Sequence, residues 1–328
     1  FPVEVEMLYR IEGGLYYNSD LSKPMDSSRV TLTGLTTWLY DIMDLTNGQF
    51  SFRCLDNGMY SLQGATDAAW GSVNATDAFL AAAFFLGQQP LSPLQQLAAD
   101  VNANGAVNAG DALMILRRFA SLVDSFPISD WILPDLDTLV DGADLSNLRL
   151  DAICAGDVNG SYHPAVNKTA HGIALQAGQE GRSLQEAQAL QLTPMADVPL
   201  AAVSLVLRLE PASAFRGLNN LPENSQWSWK DGILRIGWYA PDGLPQDQAF
   251  FDILWEKQEA AFFIDILEGS ELASLDGRPV TDAKLRYAVP IRERTGPEIW
   301  PNPGDGRINI RIPETYDADR LHWEIHDI

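Results

Sequence analysis

The sequence predicts a multidomain, mainly β chain with one α-helical domain lying between two β-rich regions. Three observations lead to that reading. Residues 1–64, and several stretches after residue 165, alternate apolar and polar residues with the period of two that half-buried strands require. Between them, Ala78-Phe-Leu-Ala-Ala-Ala-Phe-Phe85 and Ala112-Leu-Met-Ile-Leu-Arg-Arg-Phe119 read as helices. Each of these helices follows a run containing Asn, Asp and Gly, residues that shape turns and offer side-chain oxygens.

In the first β region, Val3-Glu-Val-Glu-Met-Leu-Tyr-Arg-Ile11 and Arg29-Val-Thr-Leu-Thr33 alternate cleanly. Residues Gly48 to Leu62 read as a hairpin. Phe50 and Phe52 share one face, and Asp56-Asn57-Gly58 supplies the positive φ of a tight turn. This Gly-x-Phe-x-Phe…Gly-x-Tyr-x-Leu arrangement resembles the small β-sandwich domains related to carboxypeptidase regulatory and collagen-adhesin B-type repeats. The resemblance implies a structural domain over 1–64.

Residues 100–111 read Asp-Val-Asn-Ala-Asn-Gly-Ala-Val-Asn-Ala-Gly-Asp. Oxygen side chains fall at positions 1, 3, 5, 9 and 12 of this loop: Asp100, Asn102, Asn104, Asn108 and Asp111. Gly105 occupies position 6, and the backbone carbonyl of Ala106 position 7. Calcium takes six to eight oxygen ligands, and a loop wraps it with alternate side chains, one carbonyl and a terminal carboxylate, turning sharply at a Gly. An Asn- and Gly-rich surface turn uses the same residue types, but the complete set with its following helix favours calcium. Ending in Asp, with the helix directly after, the segment resembles the half-loop of type I dockerins. That family implies calcium, and a cohesin-type protein partner.

A dockerin carries two such loops. Gly71-Ser-Val-Asn-Ala-Thr-Asp77 repeats the back half of the first, just before the other helix. The front half recurs downstream as Asp157-Val-Asn-Gly-Ser161. Joined, the fragments complete the template. Asp157, Asn159 and Ser161 take positions 1, 3 and 5; Gly71 takes position 6. Ser72 (by its carbonyl), Asn74 and Asp77 take positions 7, 9 and 12. The expectation is a helical domain over 65–165 holding two calcium ions, the second in a split site. Asp157–Ser161 as an independent turn is the alternative.

The two cysteines, Cys54 and Cys154, form no zinc pattern. In an exported protein they are a disulfide or two buried thiols, and the disulfide is the expectation.

Beyond residue 165, strands are expected at 200–209, 232–239, 249–255 and 260–267, separated by Asn, Gly and Pro. Their order is similar to cohesin-type sandwiches, assigned here to 166–292. Trp238 and Trp255 are either core aromatics or an exposed sugar platform. Residues 293–328 include Ile299-Trp-Pro-Asn-Pro-Gly-Asp-Gly-Arg-Ile-Asn-Ile-Arg-Ile312 and Leu321-His-Trp-Glu-Ile-His-Asp-Ile328. They resemble the beginning of a type IX secretion C-terminal sorting domain. The chain stops before the later strands of that pattern.

Composition narrows the function. A net charge of −22 argues against nucleic acid, whose phosphates require clustered Lys and Arg. No apolar run is long enough for a membrane-spanning helix. No Gly-x-Ser-x-Gly elbow or catalytic carboxylate pair stands out. The four His lie in linker or tail, and His322 and His326, four apart in a strand, are too distant to share an ion. The reading is therefore a non-catalytic, calcium-binding structural or adhesive module of a secreted or cell-surface protein. It would dock on a cohesin-like or surface-assembly partner, or within its own chain, and use the type IX secretion machinery. The alternative is a carbohydrate-binding accessory region of a secreted polysaccharide hydrolase. Deleting residues 295–328 from the full-length protein is expected to trap it inside the cell envelope. Undiminished export, read by immunoblot of envelope and medium, would rule the sorting role out.

Overall fold

The computed structural model describes residues 8–164, 173–177, 189–244, 248–256, 263–281, 283–288, 298–301 and 308–311. Among the described residues it is mainly β, with three α-helices. The first five strands are β1 (Tyr9–Tyr17), β2 (Ser28–Gly34), β3 (Tyr40–Asp44), β4 (Gln49–Leu55) and β5 (Gly58–Thr66). The helices α1 (Ala75–Phe85), α2 (Pro93–Ala99) and α3 (Ala109–Phe119) follow. Then come β6 (Trp131–Ile132), β7 (Leu136–Val140) and β8 (Leu145–Cys154).

Pairing of these strands revises the expected domain boundary. One sheet runs β4-β1-β8-β6, with β1 and β8 parallel, and the facing sheet runs β3-β2-β5-β7. The first sandwich therefore takes strands from 131–154 as well as from the region assigned to 1–64. The helices form an insert between β5 and β6, so 65–165 is not one helical domain. The hairpin expected at 48–62 is also corrected. Strand β4 pairs with β1, whereas β5 pairs with β2 and β7 in the opposite sheet. Phe50 and Phe52 on β4 and Tyr60 and Leu62 on β5 meet in one core from its two sides. Residues 1–7, where the first strand was expected to begin, lie outside the described residues.

Local chemistry accounts for the helices. Asn74 and Asn108 are the N-caps of α1 and α3. In both, the Asp three residues on, Asp77 or Asp111, completes a capping box. Helix α1 is apolar nearly all round and accordingly buried through most of its length. Helix α3 is amphipathic and ends in Arg117 and Arg118, which suits the negative end of its dipole. Helix α2 was not anticipated, although Ser92 before Pro93, with Gln95 at the third position, is a legible start signal. Arg118 fastens the end of the insert: its guanidinium lies 3.6 Å from the Trp70 ring centroid and pairs with Asp130 at 2.8 Å.

The second sandwich contains β9 (Ala174–Ala177), β10 (Ala189–Met195), β11 (Leu200–Glu210), a 3₁₀ turn at Ala212–Ala214, β12 (Phe215–Asn219) and β13 (Gln226–Lys230). It continues with β14 (Ile233–Tyr239), β15 (Phe251–Trp255), β16 (Phe263–Ile266), β17 (Glu271–Ser274) and β18 (Lys284–Ala288). One sheet is ordered β12-β15-β10-β18-β9. The other is β13-β14-β11-β16, with β17 also on β11. Trp238 and Trp255 are buried in the core between them, so they form no exposed platform. A two-stranded ladder, β19 (Glu298–Pro301) with β20 (Ile308–Arg311), is what is described of the expected sorting tail. Asn302, Pro303, His322 and His326 fall outside the described residues.

The helical insert packs on this second sandwich. Ala201, Ala202 and Ala273 share a buried cluster with Ala78, Phe79, Leu80 and Leu116. Small residues let the layers approach closely: a Cβ on Gly237 would lie 2.9 Å from Leu116 Cδ1 and 3.0 Å from Phe119 Cδ1. Overpacking this contact with Gly237→Val is expected to destabilise the fold by about 1–3 kcal/mol. An unchanged urea midpoint would mean that α3 does not press on β14.

Candidate metal centres

The intact loop closes on itself through its own side chains. The Asn104 N–H donates to Asp100 Oδ1 (3.1 Å) and Asn102 Oδ1 (3.0 Å), and the Gly105 N–H donates to Asp100 Oδ2 (2.8 Å). From the far end, Asp111 accepts the N–H of Asn102 (3.3 Å) and of Asn108 (3.0 Å). The Gly110 N–H donates to Asn108 Oδ1 (2.8 Å). Asp100, Asn102, Asn104 and Asp111 thus surround one turn of backbone. Asn108 sits at the helix cap, with its amide on the Ala106 carbonyl at 3.0 Å.

The two fragments of the split loop meet and repeat six of these seven bonds. The Ser161 N–H donates to Asp157 Oδ1 (2.9 Å) and Asn159 Oδ1 (2.8 Å), and the Tyr162 N–H to Asp157 Oδ2 (2.8 Å). Across the break, Asp77 accepts the N–H of Asn159 (2.9 Å) and of Asn74 (2.8 Å). The Thr76 N–H donates to Asn74 Oδ1 (2.7 Å). The Ser72 carbonyl accepts the Ser161 hydroxyl at 3.3 Å. Backbone conformation agrees too: position 4 is left-handed in both loops, at Ala103 (φ +58°) and Gly160 (φ +65°).

Position 6 departs from expectation. Gly71 is not among the residues with positive φ, and the N–H that corresponds to Gly105's comes from Tyr162. The front fragment therefore brings its own sixth residue, and Gly71 only leads into the back half.

Surroundings distinguish the two loops. The tip of the intact loop, residues 103–106, is exposed, whereas Asp77 and Asp157 are fully buried. Burial, and next the charge of Asp157, pushes the Asp77 carboxyl well above the usual carboxylate range. Burial moves Asp111 in the same direction. The Tyr17 hydroxyl, from the end of β1, donates to Asp157 Oδ2 and accepts the Cys154 N–H. Lys23 Nζ donates to the carbonyls of Gly160 (2.7 Å) and Tyr162 (3.2 Å). Sequence reasoning missed Tyr17 and Lys23, since nothing local marks them.

Among the described residues no group of three or more His, Cys, Asp or Glu gathers as a metal cluster. Each loop instead offers two carboxylates filled out by amide, hydroxyl and carbonyl oxygens. That all-oxygen donor set suits a hard cation such as calcium and not zinc.

A model of the dockerin type I domain matches residues 71–120. Domains of that type bind calcium in general. The match covers the back half of the split loop, the whole intact loop and all three helices. No curated protein matches the chain. Among solved structures, a non-cellulosomal cohesin from the archaeon Archaeoglobus fulgidus is 14% identical, covering 37% of this chain and 90% of its own, with a TM-score of 0.24. The major pilin SpaD of Corynebacterium diphtheriae is 9% identical over 86% of this chain and 65% of its own, with a TM-score of 0.25. Likenesses this low leave the functional reading to the residues.

The expected Cys54–Cys154 bridge is not formed; both thiols are free. Cys54 precedes Leu55, which pairs with Tyr9 at the start of β1, while Ala152, near Cys154, pairs with Tyr17 at its end. At about 3.3 Å per residue the ends of β1 are roughly 25 Å apart, and a disulfide spans no more than about 7 Å between Cα atoms. Burial pushes the Cys154 thiol up to about 12, whereas Cys54 is exposed. Iodoacetamide is expected to label Cys54 in the native protein, and Cys154 only after denaturation. Equal native labelling of both, read by mass spectrometry, would contradict this burial.

Proposed function

We propose that this chain is a non-catalytic, calcium-binding structural or adhesive module of a secreted or cell-surface protein, with its dockerin-like helices docked on its own cohesin-like sandwich. The observation that carries the reading is the equivalence of the two loops. Six hydrogen bonds recur between the same loop positions, although one loop is continuous and the other is assembled from distant segments. Such a match is expected of a common ligand, not of two unrelated turns.

Calcium, when bound, supplies positive charge that neutralises paired carboxylates and cross-links the segments bearing them. In the intact loop Asp100, Asn102, Asn104, the Ala106 carbonyl and Asp111 would hold it, with Asn108 acting through water. In the split loop Asp157, Asn159, Ser161, the Ser72 carbonyl, Asn74 and Asp77 would do so. Docking within the chain is supported by the burial of α1 and α3 against β11, β14 and β17. The tail from residue 293 serves as an export signal in this reading, and the strongly negative net charge of −22 disfavours nucleic acid. The carbohydrate-binding alternative gains nothing from Trp238 and Trp255, which are buried.

Calorimetric titration of the full chain is expected to give two calcium ions, the exposed loop binding at roughly 10⁻⁴ M or somewhat tighter. Asp111→Ala is expected to remove one ion and Asp77→Ala the other. Chelation is expected to lower the melting temperature, because an ion bound only by the folded state stabilises it by mass action. Asp111→Ala and Asp77→Ala variants that still bind two ions would overturn the assignment.

A further inference from the structure

The two loops differ in one respect that their shared template does not require. In the intact loop the Asn108 amide turns back onto the Ala106 carbonyl of its own loop, and position 11 is Gly110, with no side chain. In the split loop both groups reach outward to the second sandwich. Asn74 Nδ2 donates to Glu271 Oε1 at 3.1 Å, and the Thr76 hydroxyl donates to the same oxygen at 2.6 Å. Beside them the Ala75 N–H donates to Ser204 Oγ at 2.8 Å. Every one of these groups is buried, Glu271 on β17 to 7% exposure.

A carboxylate in this position carries an electrostatic cost. Glu271 lies close enough to Asp77 for their charges to interact, and Asp77 is itself beside Asp157. Among the described residues no ion pair reaches Asp77 or Glu271. The N-terminus of α1 offers only a fraction of a positive charge, about half a unit, to this group of acids. A divalent cation between Asp77 and Asp157 reverses the balance and makes the site attractive to a third carboxylate.

We propose that Glu271 is a positioning residue through which the cohesin-like sandwich responds to the ion of the split loop, so that this ion, and not that of the intact loop, holds the sandwich on the helices. The inference rests on the split loop binding calcium. The two loops then have different tasks. The exposed loop stiffens α3 locally. The buried loop joins β1 through Tyr17, α1 through Asp77 and the second sandwich through Glu271.

The Ala75 amide reports the contact directly, because its acceptor, Ser204, belongs to the sandwich. Amide hydrogen exchange of segment 74–80 in the full chain, with calcium stoichiometry measured in parallel, tests the proposal. In the parent, chelation is expected to speed exchange of 74–80 by about tenfold or more. Asp111→Ala with calcium present should keep the parent's protection, since the split loop remains loaded. Glu271→Gln keeps an oxygen for Asn74 and Thr76 but removes the charge. It should bind two ions and remain protected after chelation. Glu271→Leu removes the acceptor as well and should lose protection even with calcium. The proposal is overturned if Glu271→Gln opens on chelation as the parent does, or if the parent loses both ions with protection unchanged. A parent that binds a single ion, lost in Asp111→Ala, would instead remove the split-site reading and this proposal with it.

Discussion

Everything in this molecule depends on bringing residues 157–162 back to the N-terminus of α1. The helices are an insert, leaving the first sandwich after β5 and re-entering it at β6. Both ends of a helical insert carry unsatisfied backbone groups, and α1 starts in a buried place where water cannot supply partners. Asp77 accepts the N–H of Asn74 from its own cap and that of Asn159 from across the break, so one carboxylate closes the helix end and the chain junction together. Val73 and Val158 (positions 8 and 2) belong to the buried cluster below, and Val101 is in the same cluster. The polar loop and the apolar core beneath it therefore impose the same register.

The site of the break is physically reasonable. The intact loop is most exposed around positions 4 to 7, and an exposed loop tip is where a chain tolerates being cut and rejoined elsewhere. The split loop is opened there, between Tyr162 and the segment that Gly71 leads into. After the cut, Tyr162 still provides the N–H for the first carboxylate, so the bond pattern survives. What changes is burial. An exposed turn in one loop becomes, in the other, the floor of a three-way junction.

The loop positions were legible in the sequence because such a loop is a local pattern: oxygen side chains at fixed intervals, then a helix. Even the split loop could be reassembled, since Asp-Val-Asn and Val-Asn-Ala-x-Asp occur in both copies. Pairing of strands was not legible. Phe50 and Phe52 alternate with polar residues whether β4 pairs with β5 or faces it across a core, so alternation alone suggested a hairpin that does not exist. Strand β8 lies parallel to β1 across more than a hundred residues, with no turn to announce it. Its absence from the reading placed the boundary at residue 64 and encouraged the Cys54–Cys154 bridge. The outward contacts of Asn74 and Thr76 were hidden for a similar reason, since their partner, Glu271, is a lone acid on a distant strand.

The contact between helices and second sandwich is built from small residues. On the sandwich side Ala201, Ala202, Ala273 and Gly237 give little side-chain surface, so Phe79, Leu80, Leu116 and Phe119 of the helices approach it closely. Of the polar contacts across the interface, Ser228 donates to the Ala120 carbonyl at the end of α3, and Gln89 to the Leu275 carbonyl. Most of them meet the first turn of α1: Ala75 with Ser204, Asn74 and Thr76 with Glu271. The same turn ends in Asp77. A helix whose first residues serve both a candidate ion site and a domain contact cannot relax toward one without disturbing the other. This sharing of one helical turn, rather than proximity in general, is the physical basis for expecting the charge at Asp77 and the seating of the sandwich to be linked.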